Sequence, residues 1–89
     1  MRITPAQVRA ARGLLDISQQ ELADISKVSL RTIVQVERGS KAASESITQA
    51  IKLSLVAAGI EFISENGGGA GVRLAQSQST LDGRSADQD

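Results

Sequence analysis

Apolar and polar positions recur at helical spacing in four stretches of the chain, between about residues 4 and 58. In each stretch the apolar residues lie three or four positions apart, so they share one face of a helix. After Gly59 the period changes to an alternation typical of strands. This pattern predicts a mostly α fold of four to five helices with a short C-terminal β-hairpin.

The first helix is predicted to begin after Thr4. Pro5 suits the first helical position, and Gln7 can complete a capping box with Thr4. Gly13 lies in the middle of this helix, where it costs about 1 kcal/mol relative to alanine. We expect another helix to approach closely there, although the helix could also tolerate the loss. The predicted inner stripe is Val8, Ala11 and Leu15.

Two shorter helices are predicted between Ser18 and Gly39. Ser18 and Glu21 have the spacing of a second capping box, and Ser29 can cap the next helix. Residues 26–28 leave room only for a tight turn, so the two helices must pack at a steep angle. The residues available to fill their corner are Leu22, Ala23, Ile25, Val28, Ile33 and Val36.

The second of these helices has two different faces. Ile33, Val36 and Glu37 share the inner side. A scattered solvated surface could explain the outer side, but its residue types also suit a DNA major groove. Arginine can donate two bonds to guanine, glutamine can pair with adenine, and leucine or valine can contact a thymine methyl. The outer residues, predicted to read bases, are Leu30, Arg31, Val34 and Gln35.

A longer helix is predicted from about Ser44 to Ala58, with Gly59 as its stop. Two β-prone segments follow, with a glycine-rich loop between them. The loop lacks the Lys-Ser/Thr pair and the following helix that phosphate-binding loops use, so we interpret it as a turn. Residues 1–75 are then one domain, and the polar segment 76–89 is expected to be disordered.

A two-stranded hairpin is marginal in water and needs a surface to pack on. It could pack on the fourth helix or pair with a second subunit. We expect a homodimer whose interface includes apolar residues of the hairpin, with the only aromatic residue of the chain as its anchor. These interface residues are Ile60, Phe62, Val72 and Leu74.

Composition excludes several kinds of chemistry. The chain has no cysteine and no histidine, so thiol metal sites, zinc chemistry and imidazole catalysis are excluded, and we expect neither a cofactor nor enzymatic activity. No apolar run approaches membrane-spanning length and no signal peptide is visible, so a cytoplasmic protein is expected.

The net charge is zero, but residues 1–41 carry +3 and residues 42–89 carry −3. Local potential governs attraction to phosphate, so the basic half suits DNA and the acidic half suits a protein partner.

Several short motifs occur in order and with matching spacing: Gln19-Gln20-Glu21-Leu22-Ala23, Val28-Ser29, Arg31-Thr32-Ile33 and Val36-Glu37-Arg38-Gly39. Together they resemble the phage repressor and Cro family of helix-turn-helix transcriptional regulators (XRE family). The resemblance covers about residues 3 to 58. One departure is Lys27, where the family usually has glycine; a left-handed lysine costs on the order of 1 kcal/mol.

The resemblance implies roles for residues that match the family pattern. It supports base reading by the outer residues at the start and middle of the recognition helix, about residues 29–38. It also implies that Arg12 and Glu37 form a structural ion pair. The residues expected to contact DNA phosphates are Gln19, Ser29, Arg38 and Lys41.

The leading hypothesis is a sequence-specific DNA-binding regulator that acts as a homodimer on a palindromic operator. The alternative is a partner-binding protein, such as an antitoxin or an anti-activator, which would use the fourth helix and the hairpin to cover another protein. Steep salt dependence would favour DNA binding, because cationic side chains release counterions from the duplex.

Overall fold

The computed structural model describes residues 2–39 and 44–75. Within them the chain forms four helices followed by a two-stranded antiparallel hairpin, which confirms the predicted fold class. No fifth helix occurs in these two ranges. The elements are α1 (Pro5–Leu15), α2 (Gln19–Ser26), α3 (Leu30–Arg38), α4 (Glu45–Ala57), β1 (Ile60–Ile63) and β2 (Gly71–Leu74).

The first two helices begin directly after Thr4 and Ser18, the hydroxyl residues that were predicted to cap them. The Thr4 hydroxyl accepts a hydrogen bond from the Gln7 amide at 3.1 Å, and the Gln7 side-chain oxygen accepts from the Thr4 amide at 2.8 Å. Ser18 and Glu21 form the second capping box. Because each box satisfies two amides that would otherwise lack partners, the helix starts are defined by local sequence.

One hydrophobic core joins all four helices to the hairpin. Leu22 of α2, Ile33 of α3 and both Ile51 and Leu55 of α4 are fully buried in this core. Leu15, Val36, Ile47 and Phe62 pack against this core while remaining partly exposed. The buried apolar residues are Ile3, Val8, Ala11, Leu22, Ala23, Ile33, Ile51, Leu55 and Ile60.

The hairpin pairs Ile60 with Leu74 and Phe62 with Val72. Paired residues in an antiparallel ladder lie on the same face, so these four apolar side chains share one side. On the other side the Arg73 guanidinium donates to both carboxylate oxygens of Glu61, at 3.1 and 3.0 Å. This hydrogen-bonded ion pair lowers the pKa of Glu61.

Ile60 corrects one expectation about the hairpin. Its exposed fraction is 1%, and it belongs to the domain's own core. It is therefore not available to a dimer partner in this conformation. Phe62 and Val72 are half-buried, and Leu74, at 48% exposed, is the most accessible of the four.

The expected close approach at Gly13 is also wrong. A Cβ atom added at this position would have no heavy atom within 4 Å outside its own helix. Gly13 is exposed and makes no helix contact that requires the missing side chain. The predicted loop at residues 40–43 and the predicted disordered tail from Gln76 lie outside the described residues.

Candidate nucleic-acid interface

The outer face of α3 carries the four residues that were expected to read bases. Arg31 and Gln35 are exposed, as is Leu30 at 40%. Val34 is half-buried, so it presents only part of its side chain. Three of the four predicted side chains are thus accessible along one side of a nine-residue helix, and Val34 is partly so.

The inner face of α3 is held by the core and by a buried carboxylate. Ile33 is fully buried, and the side chain of Glu37 is 3% exposed. The Arg12 guanidinium binds both Glu37 oxygens, with Nε 2.6 Å from Oε2 and Nη2 2.8 Å from Oε1. These bonds raise the pKa of Arg12, chiefly through the hydrogen bonding to Glu37. A bidentate pair of this kind restricts the rotation of α3 against α1.

Further donors converge on the same glutamate. The Gln19 side-chain amide donates to Glu37 Oε1 at 3.1 Å, which links the start of α2 to α3. Arg9 donates from Nη1 to the Glu37 carbonyl oxygen. Arg12 also donates from Nη1 to the Ile17 carbonyl oxygen at 3.1 Å. The orientation of the outer face is therefore determined by contacts from both α1 and α2.

The residues expected to contact phosphate have different surroundings. Ser29 is exposed, and its hydroxyl accepts from the Thr32 amide at 3.1 Å and donates to the Thr32 hydroxyl at 2.8 Å. Gln19 is half-buried, and its side-chain amide is already hydrogen-bonded to the Glu37 carboxylate. Arg38 is exposed at the C-terminal end of α3. Lys41 lies outside the described residues.

Sequence reasoning missed Arg9. It is exposed, it lies one helical turn before Arg12, and it contacts the end of α3 that also carries Arg38. The spacing of Arg9 and Arg12 on one helix was the available signal, because residues three apart share a helix face. Arg9 therefore adds a third cation beside Arg12 and Arg38 at this end of the recognition helix.

The turn between α2 and α3 contains a residue in the left-handed backbone conformation, which glycine adopts most readily. Lys27 has φ +61° and donates its amide to the Ala23 carbonyl oxygen as the C-terminal cap of α2. A side chain at such a φ crowds the neighbouring backbone, which costs on the order of 1 kcal/mol. The turn keeps its shape because both flanking helices are anchored in the core.

Two short helices at a tight turn, with a buried inner face and a polar outer face on the second, define a helix-turn-helix DNA-binding domain. The helix-turn-helix family profile matches residues 8–54, which include α2, the turn and α3. The chain belongs to the Cro/C1-type helix-turn-helix (XRE) family. This family is a DNA-binding regulatory domain and typically has no enzymatic activity. No curated protein matches the chain significantly.

None of the helices in the described residues is long and apolar enough to cross a membrane. No group of three or more carboxylate, imidazole or thiol side chains is placed to hold a metal ion in residues 2–39 and 44–75. The candidate functional site is the exposed outer face of α3 together with the basic residues at the C-terminal end of that helix.

Proposed function

We propose that the protein is a sequence-specific transcriptional regulator that binds a palindromic operator as a homodimer, with α3 in the major groove. The observation that carries this proposal is the outer face of α3. Arg31 and Gln35, which are exposed there, have the donor and acceptor groups that distinguish guanine and adenine. Leu30 supplies an adjacent apolar contact for a thymine methyl. A regulator that acts on DNA would work in the cytoplasm.

The distribution of charge supports the same orientation on DNA. Seven basic and four acidic residues lie in positions 1–41. Two of the acidic groups, Glu21 and Glu37, are engaged in a helix cap and in the ion pair with Arg12. Arg9 and Arg38 lie at the C-terminal end of α3, where they can approach phosphates beside the groove. These contacts would position the domain, and the outer face of α3 would supply specificity.

A homodimer would use a groove between α4 and β1. Val56, Phe62 and Ala75 line it, and Leu74 lies on the same hairpin face as Phe62. We call these four residues the hairpin–α4 surface. Lys52 and Glu61 lie at the same groove. An exposed apolar surface of this kind can contact the same surface of a second copy across a two-fold axis.

Selection of bound sites from random duplex DNA tests the proposal directly. The expected result is a two-fold symmetric consensus whose half-sites are separated by about one helical turn, roughly 34–36 Å. An Arg31→Ala protein, selected in parallel, should lose preference at one position in each half-site. Recovery of unrelated sequences by the wild-type protein would contradict sequence-specific recognition.

A partner-binding role, as in an antitoxin or an anti-activator, remains the second candidate. Exposed apolar side chains on α4 and β2, namely Leu53, Val56 and Leu74, favour a contact with protein. Salt dependence separates the two roles, because DNA affinity falls steeply as salt rises while an apolar interface does not weaken in this way. A protein that binds no duplex DNA at low salt would favour the second candidate.

A further inference from the structure

Gln7 has a second role that its position in a helix cap does not require. Its side-chain oxygen accepts from the Thr4 amide, and its side-chain nitrogen donates to two carbonyl oxygens of the hairpin. Nε2 lies 2.9 Å from the Gly71 oxygen and 3.3 Å from the Ile63 oxygen. The residue is 3% exposed, so these contacts are shielded from water.

The two carbonyls belong to the last pair of the hairpin ladder. Ile63 is paired with Gly71, and the glycine-rich loop follows this pair. One primary amide therefore joins the loop end of both strands to the first turn of α1. An amide can donate two hydrogen bonds and accept two, so Gln7 uses both of its donors on the hairpin.

The same helix holds α3 at its other end. Arg12 binds the Glu37 carboxylate, and Arg9 binds the Glu37 carbonyl oxygen. Gln7 and Glu37 are two of three buried polar side chains in the described ranges, and the third, Ser26, bonds locally to Leu22. The two buried polar side chains that bond over long range thus connect α1 to the hairpin and to the recognition helix.

We propose that Gln7 is a positioning residue that holds the dimerisation hairpin in a defined orientation relative to α3 and so sets the half-site spacing that the dimer accepts. This inference rests on the proposed homodimer. In such a dimer the hairpin lies at the subunit contact and α3 lies in the groove. The distance between the two recognition helices then depends on how rigidly α1 connects these elements.

Gln7→Glu removes the connection while leaving the helix cap. An ionised glutamate accepts hydrogen bonds but donates none, so it would face two carbonyl oxygens without a donor. Glutamate at this position is itself a standard capping-box residue and favours the helix N-terminus. Thr4→Ala is the matched control, because it removes the hydroxyl that caps the Gln7 amide and leaves both bonds to the hairpin.

The experiment measures affinity for a set of palindromes whose central spacer varies in steps of one base pair, and for a single half-site. For the wild-type protein we expect one preferred spacing. Gln7→Glu should reduce the preference for that spacing over its neighbours by about tenfold, equivalent to about 1.4 kcal/mol. Its affinity for a single half-site should change by less than about twofold. Thr4→Ala should lower thermal stability and keep the spacing preference.

The outcomes separate the inference from the proposed function. A wild-type protein that binds without any spacing preference would contradict both the two-fold dimer and the inference. A wild-type preference that Gln7→Glu retains, or that Thr4→Ala relaxes equally, would overturn the role of Gln7 alone. If Gln7→Glu does not fold, Gln7→Met replaces it, because methionine also lacks the two donors but adds no charge. The same expected and overturning results apply to that variant.

Discussion

Arg12 and Glu37 join α1 to the recognition helix through two hydrogen bonds of 2.6 and 2.8 Å. The two partners are buried to different degrees, with 22% of the Arg12 side chain exposed and 3% of the Glu37 side chain. Loss of its partner therefore destabilises the buried Glu37 carboxylate more than it destabilises the partly hydrated Arg12 guanidinium. Removal of Arg12 should therefore cost more stability than removal of the Glu37 charge.

Arg12→Met should destabilise the protein by about 3 kcal/mol, because it leaves a buried carboxylate without its cation. Glu37→Gln should cost about 1 kcal/mol, since the guanidinium that it leaves is partly hydrated. Urea denaturation of both single variants and the double variant measures their coupling. The loss in the double variant should fall well short of the sum of the single losses. Additive losses would mean that the pair contributes no interaction energy.

Arg31→Ala should weaken binding to the cognate operator by about 1–3 kcal/mol and relax the preference at one base position. The side chain is exposed on the outer face of α3, so its loss should leave the core unaffected. Fluorescence anisotropy on the cognate and singly altered operators measures both effects. Arg2→Ala, whose side chain pairs with Glu45, serves as a charge-matched control and should keep the base preference. Equal affinities of wild type and Arg31→Ala on all operators would exclude Arg31 from base reading.

Lys41→Ala should weaken binding to the same extent on all DNA sequences, because phosphate contacts carry no direct sequence information. The slope of log affinity against log salt should decrease in magnitude by about one. Gln19→Ala should also weaken binding without changing the preferred sequence, but with no change in slope, since glutamine is uncharged. A changed consensus for either variant would contradict its assignment to the DNA backbone.

Two backbone substitutions should each stabilise the protein. Lys27→Gly should raise the free energy of unfolding by about 1 kcal/mol, because Lys27 has a left-handed φ of +61° that glycine adopts without strain. Gly13→Ala should raise the free energy of unfolding by about 0.5–1 kcal/mol, because the helix position has room for a Cβ and alanine is the better helix former. Thermal unfolding measures both variants. A destabilised Gly13→Ala protein would mean that a neighbour needs that space.

Leu74→Glu should convert a dimer into a monomer at micromolar concentration, because it places a charge in the apolar part of the hairpin–α4 surface. Sedimentation equilibrium measures the change. Leu14→Glu is the control: Leu14 is similarly exposed, at 44% against 48% for Leu74, but lies at the C-terminal end of α1. A dimer that survives Leu74→Glu would place the subunit contact elsewhere.

Truncation is a less specific test of the same surface. Removing everything after Gly59 would take away Ile60, which is buried in the core, and would leave Gln7 without its hairpin partners. Loss of stability would therefore accompany loss of the dimer. Removal of residues from Gln76 onward should leave dimerisation and operator affinity unchanged.

The sequence alone was sufficient for the features that depend on neighbours along the chain. Thr4 and Ser18 define helix starts because a cap involves residues only three positions away. The outer and inner faces of α3 follow from helical periodicity, and the Cro/C1-type family follows from motifs within one continuous segment. The pairing of Arg12 with Glu37 was accessible only through the family resemblance.

Tertiary structure decided what depends on distant parts of the chain. Gln7 bonds to carbonyls 56 and 64 residues away, and no local pattern distinguishes those donors from an ordinary helix cap. Ile60 has the alternating pattern of a surface strand, yet its burial depends on how the hairpin lies against α4 and α1. Gly13 in the middle of α1 suggested a close approach by another helix, but no other element of the described residues lies near that position. Local hydrogen bonding determines where elements begin, whereas the contacts between elements arise only when the chain has folded.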